Sequence, residues 1–431
     1  MKLPSQPIEE SSYRKSVLPN GIRVVSEEIP YVRSISIGVW INVGSRDEHT
    51  QKNGISHFLE HMVFKGTERY SARQIATSLE GIGGYLNAFT TKEHTCYYAR
   101  ILDDHLPKAL DVISDLVRYP RFDSREMEKE KKVILEELKN NEDDPDELIY
   151  DYFDDTVFHD HPLANPILGR SGSIKSFSMN DLESYLGGHY IPSGIVVAAA
   201  GNLKHEKLVA TTEKYFGGIP KRRSAPKRHP GPRRLRPGRL EFEKPFMQAH
   251  LLTGTIGYGI NSPSRYSLMV LNTLLGEGMS SRLFQNIREK YGFAYSVYSF
   301  ANLLSDTGNF GVYVGTDSKS IERTLELTYK ELAKLKAEYV GKAELKRTKA
   351  QLKGMTVLGL ESMTNRMMRL GSGEIYFGGY TGVQRVLKAI DAVTPDDVLE
   401  LARKLFRVEK FSTVIIRPSK EAQHMPRKAV A

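Results

Sequence analysis

Ser34-Ile-Ser-Ile-Gly-Val-Trp-Ile-Asn-Val43 alternates polar and apolar positions and then runs apolar, which predicts a β-strand. A helix through His57 to His61 follows, then a second from about Ser71 to Glu80, then the strand Tyr85 to Thr90. The strand Thr95 to Ile101 leads into an apolar-periodic helix from His105 to Arg118. Later in the chain the order recurs. Gln248 to Ile256 reads as a strand, Arg265 to Leu275 and Ser281 to Lys290 as helices, and Ala294 to Phe300 and Gly308 to Val314 as strands before a long helix from Ser318 to Glu338. This repetition of strand, helices, strands and long helix suggests a duplication. The expected class is α+β, with two similar domains, each an antiparallel sheet carrying helices on one face.

A length of 431 residues is itself too great for a single compact core. The break between the halves is marked by charge. Lys221, Arg222, Arg223, Lys227, Arg228, Arg233, Arg234, Arg236 and Arg239 supply nine positive charges with no acidic residue among them, which equals the whole net charge of +9. The remainder of the chain is therefore close to neutral, and no nucleic-acid partner is expected. Pro226, Pro230, Pro232 and Pro237 in the same stretch prevent a regular helix or central strand. It reads as an extended, solvated linker over 221–239, between an N-terminal domain over 1–220 and a C-terminal domain over 240–431. A polyanion-binding arm is the alternative for that charge pattern.

No apolar run reaches about 18 residues, so no membrane span is expected. The first ten residues hold no apolar segment of signal-peptide length and carry acidic residues, against a secretory or mitochondrial leader. The single cysteine, Cys96, excludes an intrachain disulfide framework and fits a reducing compartment, so a cytoplasmic location is expected. There is neither a P-loop nor a G-x-G-x-x-G after a strand, which removes nucleotide and redox-cofactor classes.

The chemistry concentrates in His57-Phe-Leu-Glu-His61. Two imidazoles four residues apart lie on one face of a helix, where both reach a single metal ion. Glu60 points toward the same side, giving the H-x-x-E-H order of inverted zincins. The plain alternative is a solvated helix face that carries two His and a Glu. The matching helix of the second half, Val270-Leu-Asn-Thr-Leu-Leu-Gly276, has neither His nor Glu, so at most one half holds a metal in this way. Two His leave a tetrahedral catalytic zinc one protein ligand short. The segment Arg125 to Lys139, rich in helix formers, offers carboxylates.

With that segment, the chain resembles the pitrilysin-type inverted zincin peptidases over nearly its whole length. The resemblance is to the two-domain branch that includes the mitochondrial processing peptidase beta subunit and its bacterial homologues. Gly44-Ser-Arg-Asp-Glu48, Phe64-Lys-Gly-Thr67, Gly83-Gly-Tyr-Leu-Asn-Ala-Phe-Thr90 with Glu93-His-Thr95, and His161-Pro-Leu with Pro166-Ile-Leu-Gly169 carry it. It implies one zinc ion per chain, held by His57, His61 and, 76 residues further on, Glu137. It also implies Glu130 as a supporting carboxylate and Glu60 as the group that takes a proton from water. His94, His159 and His161 are not expected as ligands.

The family pattern further places extended substrate along Asn87, Ala88, Phe89 and Thr90. It gives Arg288 and Tyr295, seven residues apart, a hold on the scissile region. The implied activity is endopeptidase cleavage of extended peptides or presequence-like segments inside a closed chamber. A homodimer is expected, with a heterodimer containing a metal-free subunit as the other arrangement. Ten acidic residues against Lys139 alone between Glu136 and Asp155 favour basic peptides if they line the cavity; an exposed acidic face is the alternative. The competing function is a non-catalytic, core-protein-like subunit of a larger complex, whose members have degraded ligand sets.

Overall fold

Six strands form the first sheet: β1 (Ser12–Val17), β2 (Arg23–Glu28), β3 (Ser34–Ile41), β4 (Tyr85–Thr90), β5 (Thr95–Leu102) and β6 (Ile195–Gly201). They belong to a computed structural model that describes residues 12–221, 228–232 and 237–419. Of the basic segment, Arg222, Arg223, Lys227, Arg233, Arg234 and Arg236 lie outside the described residues. The helices that concern the site are α1 (Ile55–Val63), α2 (Ala72–Glu80), α3 (Leu106–Arg118) and α4 (Ser124–Asp143). The strand order is β1-β2-β6-β3-β5-β4. All neighbours are antiparallel except β2 and β6, which run parallel because β6 arrives late in the chain and inserts beside β3.

The alternation in β3 predicts one buried face, yet the strand is covered on both. Ile35, Ile37, Val39 and Ile41 pack with Phe58, Leu59 and Met62 of α1 and Leu110, Ile113 and Leu116 of α3. Trp40, with Cys96 and Val196, packs against Met367 and Leu370 of the helix Met363–Phe377. Gly371 of that helix lies so close to the Trp40 indole that a Cβ there would fall 2.2 Å from it. Ser36, polar in the pattern, is buried and bonds Thr364 at 3.0 Å. The second covering helix comes from the other half of the sequence, which strand periodicity does not report. The described residues of this first unit fall within Met1–Leu138, Asn165–His229 and Thr356–Val386.

The described residues of the second unit fall within Lys139–Ala164, Pro230–Met355 and Leu387–Ala431. Its sheet comprises β7 (Gly238–Lys244), β8 (Ala249–Ile256), β9 (Ala294–Leu303), β10 (Gly308–Thr316) and β11 (Ser412–Pro418), in the order β7-β11-β8-β10-β9. β11 runs parallel to β7 and the other pairs are antiparallel. This repeats β2-β6-β3-β5-β4 strand for strand, including the single parallel pair, and bears out the repeated element order. The helix α5 (Pro145–Val157) buries Leu148, Ile149 and Phe153 against Leu252, Tyr313, Val414 and Ile416. One expected helix differs: within Ser281 to Lys290, Phe284–Glu289 is wound as a π-helix. No helix among the described residues is long and apolar enough to cross a membrane.

Candidate metal centre

The helix α1 starts at a constrained point. Gly54 has a φ of 92°, open to glycine, and a Cβ there would lie 2.6 Å from the Gly169 Cα. The orphan N–H groups of the first turn are met by Glu48. Its Oε2 accepts from the Gly54 N–H at 2.7 Å and the Asn53 amide at 3.0 Å, and its Oε1 accepts from the Ser56 N–H at 2.9 Å. Ile55, Phe58, Leu59, Met62 and Val63 of α1 face the core. That fixes the helix rotation and turns His57, Glu60 and His61 to the opposite side.

A carboxylate reaches this side from α4. Met127, Glu130 and Ile134 are its buried positions, and Glu137 continues the same stripe one turn on, 41% exposed at its side chain. Glu137 Oε1 stands 3.9 Å from His57 Nε2 and its Oε2 3.7 Å from His61 Nε2. The imidazole centroids are 4.5 Å apart. One ligand atom from each of the three residues lies within 4.8 Å of the others, and no other group of His, Cys, Asp and Glu among the described residues meets that test.

This donor set of two imidazoles and one carboxylate fits zinc. A tetrahedral ion with bonds of about 2.0–2.2 Å holds its ligands roughly 3.4 Å apart, so the separations of 3.7 and 3.9 Å close with a small side-chain shift. The protonation states agree. Burial holds His57 well below its ordinary value, at about 3, and the neighbouring His61 adds to that, so His57 stays a neutral lone-pair donor. His61 Nδ1 is 2.8 Å from Glu130 Oε1, which assigns its proton to Nδ1 and leaves Nε2 for the metal. Glu130 is buried and holds Lys65 Nζ at 2.6 Å on its other oxygen. Burial pushes the Glu130 carboxyl up, but the hydrogen bonds from His61 and Lys65 outweigh it and keep the group below its usual range. Glu60 is shifted the other way: burial raises its carboxyl, against a hydrogen bond from Thr90.

Beside α1 runs β4, the free edge of the first sheet. Asn87, Ala88, Phe89 and Thr90 pair with Tyr98, Tyr97, Cys96 and Thr95 of β5, and the other edge of β4 has no strand partner among the described residues. Phe89 packs against Trp40 and His94 on the far face, whereas the Thr90 hydroxyl turns to Glu60. Arg288 and Tyr295 belong to the second unit. Both are exposed, Tyr295 by 62%, and Arg288 lies over the Phe284 ring at 4.9 Å.

His94 and His161 serve structure. His94 packs on Trp40 at 5.0 Å between ring centroids, and His161 Nε2 bonds the Pro230 carbonyl at 2.9 Å. His159 stands 3.5 Å from Asp160.

Several residues in and around the site escaped sequence reasoning. Lys65 had a readable signal, four residues after His61 and so one turn along the same face. Glu48, Arg46 and Glu93 lie in stretches that carry the family resemblance, but their contacts could not be read there, because their partners are set by the chain path. Arg228 departs from the expected solvated linker. Its guanidinium forks onto both Asp47 oxygens at 2.8 Å and donates to the Glu93 carbonyl at 2.8 Å. The acidic stretch is also partly committed: Asp144 caps α5, Asp146 accepts from Tyr313, and Asp154 accepts from Asn309 at 2.8 Å.

Comparison with known proteins identifies a family. Residues 23–171 match the family described as Insulinase (Peptidase family M16), and residues 176–352 match the Peptidase M16 inactive domain. A Bacillus subtilis protein named uncharacterized zinc protease YmxG is 41% identical over 405 residues, spanning 93% of this chain and 97% of its own length. An uncharacterized zinc protease of Streptomyces coelicolor is 40% identical, covering 95% and 90%. Among solved structures, a protease from Helicobacter pylori superposes with a TM-score of 0.89 at 23% identity, covering 95% of this chain and all of that one. It bears on the fold alone.

Proposed function

The chain belongs to peptidase family M16, the insulinase family, and from that premise we propose that it is a zinc endopeptidase whose metal is held by His57, His61 and Glu137. The observation that carries this is the convergence of those three side chains, brought from two helices with Glu137 lying 76 residues beyond His61, on one point beside Glu60. Bound zinc supplies Lewis acidity to the peptide carbonyl and activates water. Glu60 takes the water proton at the oxygen that Thr90 does not hold and delivers it to the leaving amine. Its burial supports this role, since a raised carboxyl binds a proton more readily during turnover. Glu130 fixes the His61 ring and its tautomer, and Lys65 keeps Glu130 ionised in a buried place.

Substrate, in this reading, is an extended peptide that adds a strand to the free edge of β4 at Asn87 to Thr90, so that backbone hydrogen bonds supply affinity without strict sequence choice. Basic peptides are favoured by the exposed carboxylates of Glu136, Glu142, Asp143 and Glu147. Exposed Arg288 and Tyr295 can donate to a substrate carbonyl, in a homodimer that closes a chamber around the peptide. The buried, free Cys96 suits a cytoplasmic location. The complete ligand set weighs against a non-catalytic subunit.

A quenched fluorescent peptide and a zinc assay test the core of the proposal. Glu60→Gln should retain one zinc per chain and lose about 10²–10⁴-fold in cleavage rate. Glu137→Gln should keep its fold and lose the zinc. Retained turnover in the first variant, or retained zinc in the second, sinks the assigned role.

A further inference from the structure

We propose that Thr90 is a positioning residue for Glu60, contributing its hydroxyl to the reaction as well as its backbone to the strand edge. The inference rests on the reading of Glu60 as the proton carrier. Thr90 Oγ1 donates to Glu60 Oε2 at 2.5 Å. Thr95 Oγ1 lies 3.5 Å from Thr90 Oγ1 and donates its only proton to the Val43 carbonyl at 3.1 Å. Thr95 Oγ1 can therefore only accept from Thr90, and at 3.5 Å that contact is far longer than the 2.5 Å bond to Glu60, whose Oε2 takes the Thr90 proton while the other oxygen remains for water.

The donor stands on an unusually fixed piece of backbone. Thr90 ends β4 in register with Thr95, and the turn that joins them closes with the Thr91 N–H on the His94 carbonyl at 2.8 Å. The Ser45 and Arg46 N–H groups bond the Thr91 and Lys92 carbonyls at 3.1 and 2.8 Å. Gly44 makes that approach possible, since a Cβ there would meet the Thr91 oxygen at 2.3 Å. The Glu93 carboxylate is fully buried against Arg46 at 2.6 Å and lies 3.4 Å from Arg228. A β-branched side chain on such a strand end has little rotamer freedom. A glutamate alone has several rotatable bonds; the Thr90 hydroxyl ties one of its oxygens to the sheet.

Steady-state cleavage by the full-length, zinc-loaded chain tests this. Thr90→Val removes the hydroxyl and keeps the shape. It should lower kcat about ten- to a hundredfold, the scale seen when a group that orients a functional side chain is lost. KM should stay within about twofold, with zinc content and Tm unchanged. Thr90→Ser should restore most of kcat, and in a Glu60→Gln background Thr90→Val should cost nothing further. Unchanged kcat in Thr90→Val, a loss confined to KM, or Thr90→Ser no better than Thr90→Val would overturn the role of Thr90 while Glu60→Gln stays inactive. Full turnover by Glu60→Gln would instead overturn the reading of Glu60 on which the proposal stands.

Discussion

Glu130 and Glu137 sit in a helix crowded with Lys and Glu, and their spacing of seven residues sets them apart from the rest. They share the inward stripe with Met127 and Ile134, so one becomes a buried partner of His61 and the other faces both imidazoles. Glu130→Gln should weaken zinc binding about 10–100-fold while leaving the three ligands in place, measured by competition with a chromogenic chelator. A second residue gives a pH signature away from the metal. Burial holds His94 below its ordinary value, at about 4; nearby Arg228 acts in the same direction and Glu93 against it. A His whose folded pKa is depressed favours the neutral form, so its contribution is intact above about 6.5, the unfolded value, and is lost as pH falls toward 4. The stability gap between the wild type and His94→Gln, from denaturant titrations of the metal-free chain, should therefore shrink between pH 7 and pH 4.5.

Elements orient these side chains, and α1 is the one whose placement matters most. Its buried face sets the rotation, and Glu48 with Gly54 sets where it begins. Glu48→Ala strands the Gly54 and Ser56 N–H groups in a buried position and should cost about 1–3 kcal/mol, read as a lower denaturation midpoint with weaker zinc retention. Gly54→Ala adds a Cβ against the Gly169 backbone at a φ that L residues rarely adopt, so a loss of stability of more than about 1 kcal/mol is expected. The short strand β4 plays the other part: one edge pairs with β5, the other has no strand partner among the described residues, and its last side chain reaches Glu60 of α1.

Across the whole molecule, the two sheets share one topology, and among the described residues the one group of His, Cys, Asp and Glu side chains placed to hold a metal lies in the first unit. Each unit also takes a helix from the other half of the sequence: Met363–Phe377 lies on the first sheet and α5 on the second. Zinc removal should accordingly lower the stability of the first unit. At free zinc about a thousandfold above Kd the ion contributes about 4 kcal/mol, so a chelator should shift the Tm downward and added zinc should restore it. Sedimentation equilibrium should return twice the chain mass if the chamber is closed by a homodimer.

Much of this was legible in the sequence because it depends on local period. A four-residue step puts His57 and His61 on one helix face, a seven-residue step puts Glu130 and Glu137 on another, and alternation marks β3. These follow from backbone geometry that holds wherever the segment lies. What only the tertiary structure decided are meetings between segments far apart in the chain. Thr90 reaches Glu60 across 30 residues, Arg228 reaches Asp47 across 181, and Trp40 meets a helix more than 300 residues away. Such contacts are fixed by the path of the chain and by which apolar surfaces must be covered, and neither is written in the period of any single segment. His57 and His61 as a metal-binding pair could be read from the sequence alone; the fold decided which side chains are buried, which nitrogen of His61 keeps its proton, and that Thr90 bonds Glu60.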